Sequence, residues 1–76
     1  MNAQLTAREI DVVRLLAKGC TYSRIAQVLG ISQHTVATHI KSVYRKLDVH
    51  TAAGAVFRAL PLFAQSVEAR GGSHGA

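Results

Sequence analysis

Residues 32–47, SQHTVATHIKSVYRKL, decide the fold of this chain. The stretch opens on Ser32, a helix-capping residue, and holds neither glycine nor proline. Val36, Ile40, Val43 and Leu47 recur at intervals of four, three and four, which puts them on one face of a helix. At about 100° per residue the opposite face collects His34, Thr38, Lys41 and Arg45, with Ser42 beside them. No acidic residue interrupts the stretch. Such a helix packs one side on a small core and turns a cationic, hydrogen-bonding side toward something negative.

The rest of the chain bounds what that something is. Seventy-six residues allow one small domain with little stability to spare. An apolar fraction of 49% suits a folded chain and is too high for a disordered one. No run of about 18 apolar residues exists to span a membrane. The first residues lack a basic-then-apolar signal pattern, so the cytoplasm is the default location. Cys20 is the single cysteine and has no internal disulfide partner. The formal charge is +5, unevenly spread: no acid falls between Asp11 and Asp48, whereas Arg14, Lys18, Arg24, Lys41, Arg45 and Lys46 do. Concentrated positive potential suits a polyanion, with an ordinary solvated basic surface as the plain alternative. An anionic membrane surface fits less well, because it calls for a basic helix with exposed large apolar residues.

The elements before the basic helix give it a setting. Thr6 and Glu9 have capping-box spacing, and Leu5 and Ile10 occupy hydrophobic-staple positions, so a helix runs over about 7–18. Gly19 ends it as a left-handed cap. Thr21 caps a two-turn helix over 22–29, with Ile25, Ala26, Val28 and Leu29 available for packing. Gly30 turns the chain, Ile31 plugs the core and Ser32 starts the next helix. Two helices joined by so short a turn form a helix-turn-helix, with Ala26 small enough for a close crossing. After Asp48-Val49-His50, Thr51 caps a fourth helix over about 51–60, which Pro61 stops or kinks. The expected fold is all-α: a four-helix domain over 1–62 containing a helix-turn-helix, then a C-terminal extension and flexible tail over 63–76.

These residues resemble a known family. LTAREIDVVRLLAKG, TYSRIAQVLGIS and HTVATHIKSVYRKLDV, with Ala55-Val56 after them, are similar to the LuxR/GerE-type (NarL/FixJ-like) helix-turn-helix domain of bacterial transcription regulators. The likeness covers about residues 5–60, and its Leu-Thr-x-x-Glu, Ile-Ala, Ile-Ser, Thr-Val-x-x-His and Lys-Leu-x-Val elements all fall at family spacing. It implies that helix two positions, helix three reads double-stranded DNA, and helix four makes a homodimer on palindromic half-sites. It also implies a place behind a receiver or ligand-sensing domain, as in response regulators; the chain is either an excised domain or a stand-alone regulator. Three positions depart from the family. Arg24 stands where Glu completes a second capping box, Ala37 where a base-reading cation is common, and Ala52 where Arg is common.

On this reading Thr38, Lys41, Ala37 and His34 contact bases, with Ala37 limited to a methyl contact such as thymine. Arg24, Thr35, His39, Ser42, Arg45 and Lys46 contact phosphate, although His39 serves helix packing equally well. Val49, Ala53, Val56 and Phe57 form the dimer patch, unless Val56 or Phe57 is simply core. His34 and His39 lie about 140° apart on a helix and cannot share a metal. No cofactor is implied. No nucleophile–base constellation or glycine-rich phosphate loop is present, and the few carboxylates build no acid–base pair, so an enzyme is not expected. RNA binding lacks a stacking platform. The competing reading is a protein-interaction module that docks on RNA polymerase or a regulator through helix four and Leu62-Phe63, binding DNA incidentally.

Overall fold

In a computed structural model that describes residues 4–74, with side chains through Phe63, the chain forms α1 (Ala7–Ala17), α2 (Tyr22–Leu29), α3 (Gln33–Leu47) and α4 (Ala52–His74). No strand occurs among the described residues, so the fold is all-α. Every helix start is set by a hydroxyl that accepts from the N–H three residues on, which satisfies one of the donors a helix start leaves orphaned. Thr6 takes the Glu9 N–H at 3.1 Å, Thr21 the Arg24 N–H at 3.1 Å, Ser32 the Thr35 N–H at 3.0 Å and Thr51 the Gly54 N–H at 3.0 Å. At α1 the box is complete, because Glu9 Oε1 accepts from the Thr6 N–H at 2.8 Å.

The first three helices end by one device: a left-handed residue followed by an apolar residue that folds back onto the core. Gly19 (φ 86°) precedes Cys20, Gly30 (φ 69°) precedes Ile31 and Asp48 (φ 57°) precedes Val49. The N–H of each apolar residue reaches back to a carbonyl in the last turn, Cys20 to Leu15, Ile31 to Ala26 and Val49 to Tyr44, each at 3.0 Å. Cys20 and Ile31 are half-buried against the core rather than enclosed in it. Glycine serves at the first two caps because it carries no Cβ penalty there. Asp48 bears that penalty, which the sequence alone did not expose.

Two clusters share the core, and α1 joins them. Val12 packs with Ile25 and Ala26 of α2 and with Val36 and Ile40 of α3. Its neighbour Val13 faces Val43 of α3 and Ala55 and Ala59 of α4. Tyr44 touches both clusters. Ala55 and Ala59 are fully buried, and their small size lets α4 lie close. The chain also passes tightly beneath the start of α4, where a Cβ on Gly54 would sit 3.3 Å from Val49 Cβ. Arg14 of α1 stacks over the Phe63 ring of α4 at 5.7 Å.

Pro61 does not stop α4, which continues through it, so of the expected stop or kink the stop is corrected. A proline removes one N–H bond, here the bond to the Phe57 carbonyl. Phe57 and Pro61 are both exposed, so the lost bond falls on the solvent side of α4 rather than in the core. The expected C-terminal extension, 63–76, falls almost wholly outside the residues whose side chains are described. No helix of the described residues is long and apolar enough to cross a membrane.

Candidate nucleic-acid interface

The outer side of α3 follows from its inner side. Val36, Ile40 and Val43 are buried, which fixes the helix rotation and leaves His34, Thr38, Lys41 and Arg45 exposed along the opposite face. Ala37 sits half-buried at the edge of that face. The Thr38 hydroxyl donates back to the His34 carbonyl at 3.1 Å, which commits its proton within the helix and leaves the oxygen as an acceptor. Thr35 is half-buried and shares a 2.9 Å hydroxyl contact with the Ser32 cap, so its first duty is to the helix start. His39 is half-buried as well.

Arg24 lies exposed in the first turn of α2, and its Nη1 donates to Gln27 Oε1 at 2.9 Å. The Thr21 half of a capping box survives there, and the arginine in place of an acid leaves the first turn of α2 without negative charge. A cation at a helix N-terminus is unfavourable by some tenths of a kcal/mol unless an anion such as a phosphate joins it.

Lys46 stands apart from the other basic residues of α3. Its Nζ donates to Glu9 Oε1 at 2.8 Å, and the two side chains are 22% and 6% exposed. The expected phosphate ligand is thus engaged as a tether between α3 and the capping box of α1. Burial raises the Glu9 carboxyl, but Lys46, the Thr6 N–H and the Ser42 hydroxyl outweigh it and hold the group at about 2, so it is a carboxylate at neutral pH. Ser42 is half-buried on this side of α3, and its Oγ also receives Arg45 Nη2 at 3.5 Å. Tyr44 is pushed up by burial first and by Tyr22 second, so its phenol stays neutral and adds no negative charge to the basic face.

The four expected dimer residues divide. Ala53 is exposed and Phe57 is 71% exposed, whereas Val49 and Val56 are half-buried against the core. Leu60, 49% exposed, follows Phe57 on the same face, so the open apolar stripe runs Ala53, Phe57, Leu60.

Sequence reasoning passed over Gln33 and Tyr22. Gln33 is exposed in the first turn of α3 and begins the row that continues to Ala37 and Lys41. Its spacing of four from Ala37 was the available signal, and glutamine pairs well with adenine. Tyr22 is 41% exposed beside Arg24 and carried no periodic signal.

Residues 3–59 match the bacterial regulatory proteins of the luxR family, GerE type. The chain belongs to that family. Its LuxR-type helix-turn-helix is the DNA-binding element of transcription regulators, not of enzymes. The chain is 44% identical over 61 residues to the transcriptional activator protein CarR of Pectobacterium carotovorum subsp. carotovorum, covering 80% of this chain and 25% of CarR. It is 49% identical over 47 residues to the nitrate/nitrite response regulator protein NarP of Escherichia coli K12, covering 62% of this chain and 22% of NarP. It is 43% identical over 50 residues to the HTH-type transcriptional activator RamA of Corynebacterium glutamicum, covering 66% of this chain and 18% of RamA. The chain thus spans a quarter or less of the length of these relatives. No solved structure matches it significantly.

Proposed function

We propose that this LuxR-type domain is a sequence-specific reader of double-stranded DNA in bacterial transcription regulation, with α3 in the major groove. The observation that carries this is the outer face of α3, free of acids and exposed at His34, Thr38, Lys41 and Arg45. Lys41, Thr38, Ala37 and His34, with Gln33 added, face base edges, while Arg24, Arg45, Thr35, His39 and Ser42 serve the backbone contacts that set register. Two copies pair through α4 on a palindromic site, and the Ala53–Phe57–Leu60 stripe supports a contact centred on Phe57. That patch is small, so DNA aligns the copies and stabilises the dimer. The working location is the cytoplasm, where the DNA is, and RNA polymerase is a further partner that the α4 side suits.

Selection of bound duplexes from a random pool tests the reading, followed by anisotropy titration against salt. The expected result is one enriched half-site in inverted repeat, bound with an affinity that falls steeply as salt rises. Equal retention of every duplex would defeat it and leave the protein-docking alternative in place.

A further inference from the structure

We propose that Thr38 is a specificity-determining residue for DNA binding: its Oγ1 accepts from the exocyclic amino group of an adenine or a cytosine in the major groove. This rests on the groove-helix reading above and names the base chemistry that one position of it selects.

The outer face of α3 is rich in donors and poor in acceptors. It carries no acid, and Lys41 and Arg45 can only donate. Such groups read guanine O6 and N7 or meet phosphate. Each base pair also shows one amino donor in the major groove, on adenine N6 or cytosine N4, and only an acceptor detects it. Gln33 and His34 hold both kinds of atom and can turn either toward a base. Two neighbouring hydroxyls are engaged elsewhere, Thr35 with the Ser32 cap at 2.9 Å and half-buried Ser42 with Arg45 Nη2 at 3.5 Å.

Thr38 differs from all of these. It is exposed in the row His34, Thr38, Lys41, Arg45, and its Oγ1 lies 3.1 Å from the His34 carbonyl oxygen. A carbonyl has no proton, so the hydroxyl is the donor in that contact. The β-branch restricts χ1, and the bond to the preceding turn holds one rotamer. What remains on Oγ1 is lone pairs. An amino group that meets it extends a chain, from base N–H to Oγ1–H to the His34 carbonyl, in which each bond polarises the next. A keto oxygen or ring nitrogen instead meets a lone pair, unless the hydroxyl gives up its internal bond and turns outward. The difference is one neutral hydrogen bond, about two- to twelve-fold in affinity. At the base pair it meets, Thr38 therefore favours adenine or cytosine over thymine or guanine on the contacted strand.

Anisotropy titrations on a duplex carrying the selected site test this by crossing protein variants with base analogues. Adenines are replaced one at a time by purine, and cytosines by pyrimidinone, which removes only the amino group. Thr38→Val removes the hydroxyl at nearly constant shape, and Thr38→Ser keeps it. One such replacement is expected to cost the wild type about two- to twelve-fold more than it costs Thr38→Val. Crossing the two changes cancels the effect of the analogue on the duplex itself. Thr38→Ser should retain the coupling, and purine analogues lacking N7 should show none. Coupling of Thr38 to N7 would overturn the inference, because the hydroxyl proton would then be the reader. Coupling to the thymine methyl, removed in deoxyuridine, would overturn it in favour of the Thr38 methyl. Thr38→Val with wild-type affinity and selectivity would overturn it as well. If Lys41→Ala relaxes selection while no amino group couples to Thr38, the inference falls and the groove reading stands. If the wild type binds every duplex equally, the groove reading falls with it.

Discussion

The Lys46 ammonium lies 2.8 Å from Glu9 Oε1, thirty-seven residues away in sequence, and the same oxygen caps the first turn of α1. One atom thus satisfies the orphan donor of Thr6 and pairs with a lysine near the end of α3. The pair is more shielded than a surface salt bridge, and the Glu9 carboxylate also accepts from the Thr6 N–H, so removing Lys46 alone leaves a buried charge with less compensation.

Acid should therefore loosen this domain in a definite window. The folded Glu9 carboxyl is held at about 2 against an ordinary 4.5. A depressed carboxylate contributes stability that is fully present above the unfolded value and is lost as pH falls through the folded one. The loss should run from about pH 4.5 down to about pH 2 and amount to roughly 3 kcal/mol. Replacing Lys46 with Met removes the strongest opposing contact while burial still acts, so the Glu9 carboxyl should rise toward its unfolded value, and the stability lost between about pH 4.5 and about pH 2 should shrink. Urea midpoints measured across that range check it; a transition unmoved by Lys46→Met would mean that the pair carries no net stability.

Asp48→Asn should stabilise the fold. Asp48 holds φ 57° at the C-terminus of α3, where a side chain carries a left-handed penalty and a negative charge meets the negative end of the helix dipole. Asparagine tolerates that backbone better and is neutral, for an expected gain of about 0.3–1 kcal/mol. Asp48→Gly should gain similarly from the backbone but lose part of it to the entropy of the unfolded chain. Thermal melts at moderate and at high salt separate the two contributions, because only the charge part is screened.

The helix starts were legible because capping is local: Thr6, Thr21, Ser32 and Thr51 each act within three residues of themselves. Gly19 and Gly30 were legible for the same reason. Asp48 was not, because the turn it makes sets Val49 against the cluster of Val13, Val43, Ala55 and Ala59, a tertiary demand. The outer face of α3 could be read from its inner spacing, yet Lys46 could not be separated from Arg45. Periodicity shows that the two differ in angle but not that a buried carboxylate from α1 waits on one side. In α4 the buried pair is Ala55 and Ala59, and an alanine-rich helix gives no contrast by which to tell that Phe57 points away. Pro61 lies inside α4 rather than at its end, so the proline did not mark the helix boundary, its lost bond falling on the exposed side.

Phe57→Asp tests the pairing surface without testing the fold. At 71% exposure the ring is outside the core, so the melting temperature should move little, corresponding to within about 0.5 kcal/mol. Binding to a single half-site should persist, while cooperative occupancy of an inverted repeat should be lost. Sedimentation of the DNA complex with one and with two half-sites gives the stoichiometry directly. A cooperative two-copy complex of Phe57→Asp would move the dimer contact away from the stripe.

Lys41 and Gln33 should fail differently when truncated. Both are exposed on one row of α3 with the small Ala37 between them; on the proposed reading a base pair opposite Ala37 should meet only a methyl, and polar discrimination should concentrate at the two ends of the row. Lys41→Ala should cost about 1–3 kcal/mol on the selected site, with relaxed preference at one position if the ammonium meets a base, or a salt slope lower by about one if it meets a phosphate. Gln33→Ala carries no charge change, so its salt slope should stay at the wild-type value, and its loss should appear as reduced discrimination at a single base pair toward the other end of the half-site. Neither side chain contributes to the core clusters, so melting temperatures serve as the control. Competition titrations with half-sites altered one base pair at a time read both effects at once. If Lys41→Ala and Gln33→Ala relax the same base pair, α3 crosses the groove rather than following it, and the row does not report the order of bases.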